Sequence, residues 1–202
     1  MSSQSKNLLT LEEYLALERK AELKSEYFAG EMFAMAGASR RHNLITANIL
    51  RVLGNQLLER ACNVYPSDMR VKISKIGKYT YPDVVVACGE ERFEDEHNDT
   101  LLNPVVIIEV ISPSTEREDR GRKKFDYFAT PSIRQYALIE QDERLIDLYT
   151  RTGDGWIDEI IEGDAVLNLS SIGIEVSLDV IYEDTELAAT PRREGERQIP
   201  AA

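Results

Sequence analysis

The alternation of apolar and polar positions divides the first third of the chain into a helix, a hairpin and a longer helix. Residues 10–20 begin with the Thr and Glu spacing of a capping box, which predicts a short helix. Residues 24–28 and 31–35 flank an Ala-Gly pair and are typical of a hairpin. Apolar residues recur with a helical period over 41–60, which predicts an amphipathic helix.

The middle of the chain is dominated by extended segments. Residues 64–74 and 79–87 predict two strands joined by a turn around 76–78. Residues 90–103 are polar and predict a loop, and 105–111 form an almost wholly apolar run that predicts a buried strand. These elements together indicate an α/β protein.

A further helix and several strands are predicted beyond this run. The helix starts near Thr115, which has capping-box spacing to Glu118, and ends at or just before Pro131. The strands that follow are predicted over 135–140, 145–150, 156–161 and 174–176, with a hairpin turn at 152–155. We expect a flexible N-terminus over 1–9, a single domain over 10–182 and a disordered tail over 183–202.

Two carboxylates interrupt apolar strands and are the most informative positions. Asp83 follows Pro82 at the start of an apolar run, and Glu109 lies within the run 105–111. A carboxylate in such a strand is costly unless something pairs with it. Asp83 could cap a strand end while Glu109 pairs with a core cation. Alternatively, both on neighbouring strands could hold a divalent cation through oxygen ligands.

The helix after the second acid carries a polar stripe. Asp119, Lys123 and Tyr127 are spaced i, i+4, i+8 and share one side of the helix. The stripe could be a solvated face with an i,i+4 ion pair, or it could direct a Lys back at the two carboxylates.

These residues resemble the Uma-two-type restriction endonucleases, a branch of the PD-(D/E)XK nuclease superfamily. The resemblance spans roughly 10–149 and rests on the order and spacing of short patterns. They are Pro82-Asp83, Glu109 to Ser112, the stripe Asp119, Lys123 and Tyr127, Gly30-Glu31, 35–39, His42 and 67–71.

The resemblance implies a restriction-endonuclease-like core of helix, three strands, helix and strand, with an N-terminal helix and hairpin and added C-terminal strands. It implies a metal-dependent DNA endonuclease with Mg²⁺ or Mn²⁺ held by Asp83, Glu109 and the carbonyl of Val110. The superfamily's usual Lys, two residues beyond the acid, is replaced here by Ile111. The resembled branch supplies it from the next helix, so Lys123 becomes the catalytic cation, with Lys124 as the fallback.

Several further residues are candidates for supporting roles. Each has a structural alternative, such as a turn acid, a partly buried His or a packed Tyr. The accessory candidates are Glu31, His42, Asp68, Asp119, Lys124 and Tyr127.

Charge at first argues against a nucleic-acid partner, because the net charge is −12. Residues 90–99 contribute −5 and residues 140–164 contribute −7, so the remaining chain is neutral. The candidates for DNA contacts are Arg40, Arg41, Arg120, Arg122 and Lys124. We expect weak DNA affinity, or a homodimer that combines basic surfaces.

Composition indicates a cytoplasmic protein without a membrane segment. No apolar stretch is long enough for a span, and the first residues lack a signal region. Cys62 and Cys88 are predicted to be reduced core thiols. The alternative function is a catalytically inactive protein of the nuclease fold that binds nucleic acid or a protein partner, which the acidic segments and Ile111 favour.

Overall fold

The computed structural model describes residues 8–73, 75–112, 115–153 and 155–187. Five α-helical segments are interspersed with thirteen strands over these ranges. The helices are α1 (Leu11–Glu18), α2 (Arg40–Leu57), α3 (Glu116–Glu118), α4 (Lys124–Phe128) and α5 (Leu178–Ile181), and a π-helical turn (Asp119–Lys123) joins α3 to α4.

The first seven strands include the predicted hairpin. They are β1 (Ser25–Phe28), β2 (Glu31–Ala34), β3 (Cys62–Pro66), β4 (Arg70–Ile73), β5 (Lys78–Thr80), β6 (Val84–Cys88) and β7 (Thr100–Leu101). The remaining strands are β8 (Val106–Ile111), β9 (Gln135–Glu140), β10 (Leu145–Thr152), β11 (Gly155–Glu162), β12 (Val166–Leu169) and β13 (Ile174–Ser177).

Two sheets and a small hairpin make up the β structure. The larger sheet has the strand order β11-β10-β9-β8-β6-β3, and the second has the order β2-β1-β5-β4-β7. Strand β8 is parallel to β9 and antiparallel to β6. All six residues of β8 are buried, as expected for a central strand covered on both faces.

Helix α2 covers one face of the larger sheet. Ile45, Ile49, Leu53 and Leu57 recur every fourth position and are buried against β6, β8 and the C-terminal hairpin. The opposite face holds a second core with Ile107, Ile111 and Tyr127, as well as aliphatic residues of β4. Alternation along β8 directs Glu109 towards this second core, because it lies between those two isoleucines.

The prediction of two long strands in the middle of the chain is wrong in one respect. Each is divided into two shorter strands at the point where the chain passes from one sheet to the other. Residues 64–73 divide into β3 and β4 around a turn in which the N–H of Met69 donates to the carbonyl of Pro66 (3.0 Å). Residues 79–87 divide at Tyr81–Asp83, where Pro82 offers no N–H to a ladder. Asp83 therefore lies at the junction between the two sheets.

The helix predicted after Ser112 is also irregular. Gly121 has non-helical torsions (φ −99°, ψ −113°) within the π-helical turn. The predicted capping box is wrong, because Thr115 has αR torsions and its side chain makes no cap bond to the helix. The Thr115 hydroxyl instead accepts a hydrogen bond from the N–H of Ser112 (3.2 Å).

The chain ends differ from the expected boundaries. Leu9, placed in the flexible N-terminus, donates its N–H to the carbonyl of Gly30 (2.9 Å). Of the predicted tail, Glu183 contacts α2 and Thr185 is buried, so the packed domain continues through these residues. The rest of the predicted tail, 188–202, and residues 1–7 lie outside the described residues. So do Ser74, the last residue of the predicted strand 64–74, and Asp154 of the predicted turn 152–155.

The polar loop predicted over 90–103 contains the short strand β7, which adds to the second sheet beside β4. Within the described ranges, no helix has both the length and the apolar character needed to cross a membrane.

The prediction of two reduced thiols is wrong. Cys62 and Cys88 are directly opposite in the β3–β6 pair and form a disulfide. Their separation of 26 residues along the chain gave no indication of this pairing, because register is a tertiary property.

We expect the double variant Cys62→Ala/Cys88→Ala to be less stable than the parent by about 2–4 kcal/mol, because a cross-link restricts the unfolded chain. Urea unfolding followed by circular dichroism measures this difference. Thiol titration of the denatured, unreduced parent should find neither cysteine free. Two free thiols in the parent, or equal unfolding midpoints, would contradict the expectation.

Candidate active site

Asp83 and Glu109 come together where β6 and β8 meet. The strands are antiparallel neighbours, with Val84 opposite Ile108. The Asp83 Oδ2 atom accepts a hydrogen bond from the N–H of Val110 (2.8 Å), and the N–H of Asp83 approaches Glu109 Oε2 (3.4 Å). The two acids therefore lie beside each other at the junction of these strands.

The polar stripe of the following helix closes over Glu109. Lys123 Nζ lies 2.8 Å from Glu109 Oε1, and the Tyr127 hydroxyl donates to the same oxygen (2.8 Å). Asp119 Oδ1 is 3.3 Å from Lys123 Nζ. All three helix residues are buried, so the stripe is not a solvated face. Lys123 of this helix thus lies against the acid that Ile111 follows by two positions.

Lys124 has a different environment from Lys123. Its Nζ atom lies over the ring of Tyr149 (4.9 Å from the centroid) and near the ring of Phe125. Successive residues of a helix point about 100° apart, so both lysines cannot face one site. The geometry therefore favours Lys123 over the fallback.

Glu26 is a member of this cluster that the sequence analysis did not identify. Its carboxylate lies 3.5 Å from Lys123 Nζ and accepts a hydrogen bond from the Thr80 hydroxyl. It comes from β1, in the second sheet, far from Glu109 along the chain. The only available signal was an acid in an alternating hairpin strand, which did not indicate a partner.

Burial and charge shift the protonation of the cluster. Burial is the largest cause that raises the pKa of Glu109 to about 8; Lys123 opposes the rise, and Asp119 and Asp83 add to it. Burial alone lowers the pKa of Lys123, but Glu109 and the other acids hold it well above its usual range. The acids around Lys123 therefore favour its charged form.

The cluster has more carboxylates than cations. Glu109, Asp119 and Glu26 lie around Lys123, and Asp83 lies beside Glu109. Such an excess of buried negative charge is stabilised by a bound cation or by protonation. Within the described ranges, no group of three or more His, Cys, Asp and Glu side chains is arranged so that it could hold a metal ion. Two carboxylates suit Mg²⁺ or Mn²⁺, since such ions keep waters and substrate oxygens as remaining ligands.

His42 extends the site on the side of α2. Its Nε2 atom is 3.1 Å from Asp83 Oδ2, and its Nδ1 atom is buried with no hydrogen-bond partner among the described residues. Two accessory candidates remain, Glu31 and Asp68. Glu31 lies on β2 opposite Phe28. Asp68 is exposed and pairs with Lys24 (2.8 Å), so it belongs to the surface.

Most of the basic residues proposed for DNA contacts are engaged by acids. Arg120 forms ion pairs with Glu140 and Asp147, which tie the helix to β9 and β10. Arg41 pairs with Asp142 (3.1 Å) and Arg40 pairs with Glu186 (3.4 Å). Arg122 instead places its guanidinium 3.6 Å from the centroid of the Phe28 ring. Of these arginines, Arg122 is the one with an aromatic partner.

Residues 11–180 match the family model Uma2, whose description is "Putative restriction endonuclease". The chain is 35% identical over 175 residues to the uncharacterized protein slr1290 of Synechocystis sp., covering 86% of this chain and 91% of that protein. It is 37% identical over 147 residues to the uncharacterized protein sll1609 of the same organism, covering 73% and 83% of the two chains.

The fold is also similar to a crystal structure from Anabaena variabilis, described as a "putative nuclease belonging to DUF820". The TM-score is 0.72 at 21% identity, and the match covers 86% of this chain and 97% of that one. The restriction-endonuclease-like α/β fold expected from the sequence is confirmed by this likeness.

Proposed function

The chain belongs to the Uma2 family of restriction endonuclease-like proteins, and on that premise we propose that it is a metal-dependent endonuclease that hydrolyses phosphodiester bonds of DNA. The observation that carries the proposal is the convergence of Asp83, Glu109 and Lys123. Two neighbouring carboxylates can hold a divalent cation, and that cation together with Lys123 would suit a substrate that is itself an anion.

The proposed metal ligands are the carboxylates of Asp83 and Glu109 and the carbonyl of Val110. The N–H of Val110 points to Asp83, and the N–H and C=O of one strand residue point to the same side. Oxygen donors of this kind match Mg²⁺ or Mn²⁺. When bound, such a cation supplies Lewis-acid stabilisation of phosphate charge and lowers the pKa of a coordinated water.

The surrounding residues hold these groups in place. The Tyr127 hydroxyl donates to Glu109 Oε1, which leaves Oε2 on the side of Asp83. Burial raises the pKa of Tyr127 well above its usual range, so the hydroxyl stays a neutral donor. Lys123 would place its positive charge beside the scissile phosphate and stabilise the negative charge that develops there.

A homodimer is part of the proposal for a duplex substrate. The described part of each chain holds one such cluster, and one-site nucleases commonly cleave both strands as two copies related by a two-fold axis. A dimer would also combine two copies of the cations that acids have not already paired, which helps an acidic protein to bind DNA.

We expect purified protein to nick or cleave plasmid and oligonucleotide DNA when Mn²⁺ or Mg²⁺ is present and to be inactive with EDTA. Product gels over a titration of each metal measure this. Ca²⁺ is the control, because its larger size and variable geometry often allow binding without cleavage. Activity that persists in EDTA would contradict a metal-dependent mechanism.

The second function is a non-catalytic protein of this fold that binds nucleic acid or a protein. The observation in its favour is that Lys123 lies in ion pairs with Glu109, Asp119 and Glu26 rather than at an open surface. DNA binding without cleavage over the whole metal titration would select this function.

A further inference from the structure

A cavity of about 440 Å³ lies between the β1–β2 hairpin and the segment from α3 through the π-helical turn. Its size is within the range of about 300–1,000 Å³ typical of pockets for small organic groups. The lining residues are Glu26, Phe28, Phe33, Lys78, Arg117, Glu118 and Arg122.

Strand alternation explains the aromatic part of the lining. Glu26 and Phe28 lie on the same face of β1, and Phe33 is directly opposite Glu26 on β2. The other face of β1 carries Tyr27, which is buried against Tyr14 and Tyr79. The two phenylalanines are therefore excluded from that tyrosine core and face the cavity.

The two phenylalanines present ring surface that the core does not use. The Phe33 side chain is 49% exposed, which is a large fraction for an aromatic residue on a strand. Arg122 places its guanidinium over the ring of Phe28 at 3.6 Å from the centroid. Arginine planes and phenylalanine rings are both surfaces on which nucleobases stack.

Charge in the lining favours an anionic chain. Lys78, Arg117 and Arg122 supply three cations, against the two acids Glu26 and Glu118. Lys78 is already paired with Asp126 (3.3 Å) and Glu118 (3.5 Å). Arg117 and Arg122 are exposed at the helix side of the cavity, where a phosphate backbone could reach them.

The cavity shares a wall with the candidate active site. Glu26 lines it and is also 3.5 Å from Lys123 Nζ, which in turn contacts Glu109 (2.8 Å). A nucleotide in the cavity would thus be adjacent, through one side chain, to the place proposed for the scissile phosphate.

We propose that this cavity binds an unpaired nucleobase next to the scissile phosphate, so that the protein prefers single-stranded or locally unpaired DNA. This inference rests on the proposed nuclease function, which makes the neighbouring cluster of Asp83, Glu109 and Lys123 the place of the scissile phosphate. A base within an intact duplex has both faces stacked on its neighbours and cannot reach the rings. A free phosphate would use the arginines but not Phe28 or Phe33.

The test is binding of a fluorescein-labelled oligonucleotide of about 12 nucleotides, measured by anisotropy in EDTA at low salt. The same sequence is used single-stranded and as a duplex. Single strands should bind more tightly than duplex. Phe33→Leu keeps apolar volume but removes the ring, and should weaken single-strand binding about tenfold while duplex binding changes little.

Two variants serve as matched controls. Phe33→Tyr retains a ring and should bind as the parent does. Phe125→Leu makes the same change at a ring that is 65% exposed but outside the cavity, and should have no effect. Equal binding of both DNA forms, no binding, or equal losses in Phe33→Leu and Phe125→Leu would overturn the proposal.

Failure of this proposal is distinct from failure of the nuclease function. Because EDTA is present, the binding assay depends neither on a metal nor on cleavage. Ring-dependent binding by a protein that never cleaves would refute the nuclease and leave the base pocket. Cleavage by the Phe33→Leu variant without any loss of the preference for single strands would refute the base pocket and leave the nuclease function.

Discussion

Replacement of Lys123 by alanine is expected to reduce metal-dependent DNA cleavage by about 10²-fold or more, the size of effect typical when a transition-state electrostatic group is removed. Its Nζ atom is 2.8 Å from Glu109, and the surrounding acids raise its pKa above the usual range, which favours the positively charged form. Initial rates of oligonucleotide cleavage at saturating Mn²⁺ measure the loss.

Lys124→Ala is the matched control. This neighbour lies over Tyr149 and away from the carboxylates, so its loss should mainly weaken DNA binding and its salt dependence. An equal loss of activity in both variants would point to DNA binding rather than catalysis. Full activity in both would refute a helix-borne catalytic lysine.

Stability has to be measured alongside activity, because Lys123 neutralises buried acids. Its removal leaves Glu109, Asp119 and Glu26 without their shared cation, and breaking a buried ion pair costs about 3–5 kcal/mol. Lys123→Arg keeps the charge and supplies the second variant. A folded Lys123→Arg protein with reduced cleavage would show that activity is lost because the charge is misplaced and not because the protein is less stable.

Asp83→Asn and Glu109→Gln are each expected to abolish binding of Mn²⁺ at this site. Each change removes one of two carboxylates that converge on the same space, and a neutral amide oxygen is a much weaker ligand for a hard cation. Isothermal titration calorimetry with Mn²⁺ or Mg²⁺ measures the loss directly, without requiring catalysis.

Asp68→Asn is the control for this pair of variants. It makes the same chemical change at an exposed acid that pairs with Lys24, so metal binding should equal that of the parent. Equal binding by the parent, Asp83→Asn and Glu109→Gln would mean that the cation binds elsewhere or nonspecifically.

The same variants also report on the metal-free cluster. Asp83→Asn is expected to raise the thermal unfolding midpoint, because it removes one of several neighbouring negative charges while an amide oxygen can still accept from Val110. Glu109→Gln relieves the same repulsion but loses the buried ion pair with Lys123, whereas Asp83→Asn alters only the contact with His42. Asp83→Asn is therefore the cleaner test of repulsion within the empty site.

Local patterns determined the elements whose signals are contained within a few residues. The capping box at Thr10 and Glu13 is present, with both reciprocal hydrogen bonds. The helical period over 41–60 corresponds to α2, and the apolar run after residue 104 corresponds to the buried β8. These elements follow from propensity and burial, which act over one or two turns or strand repeats.

The relation between Asp83, Glu109 and Lys123 was partly accessible to the same reasoning. Alternation directed Glu109 and Ile111 to one face, and helical spacing aligned Lys123 with Asp119 and Tyr127. The spacing remained useful despite the π-helical turn, because all three helix residues still reach the site.

Tertiary structure alone decided which distant groups meet. Glu26 reaches Lys123 only because β1 belongs to a sheet that packs beside the helix, and Cys62 meets Cys88 only because of the β3–β6 register. Arg120 is removed from the set of available cations by acids on β9 and β10.

The breaks in the two long predicted strands were also decided by the tertiary structure. The sequence by itself determined where apolar runs and helical stripes occur along this chain, together with the acids and the lysine that interrupt them. Which sheet each half of a run joins, and which charges are neutralised, depended on the packing of segments far apart in sequence. A contact between two distant segments produces no periodic pattern in either of them, because the partner of each group lies outside its own segment.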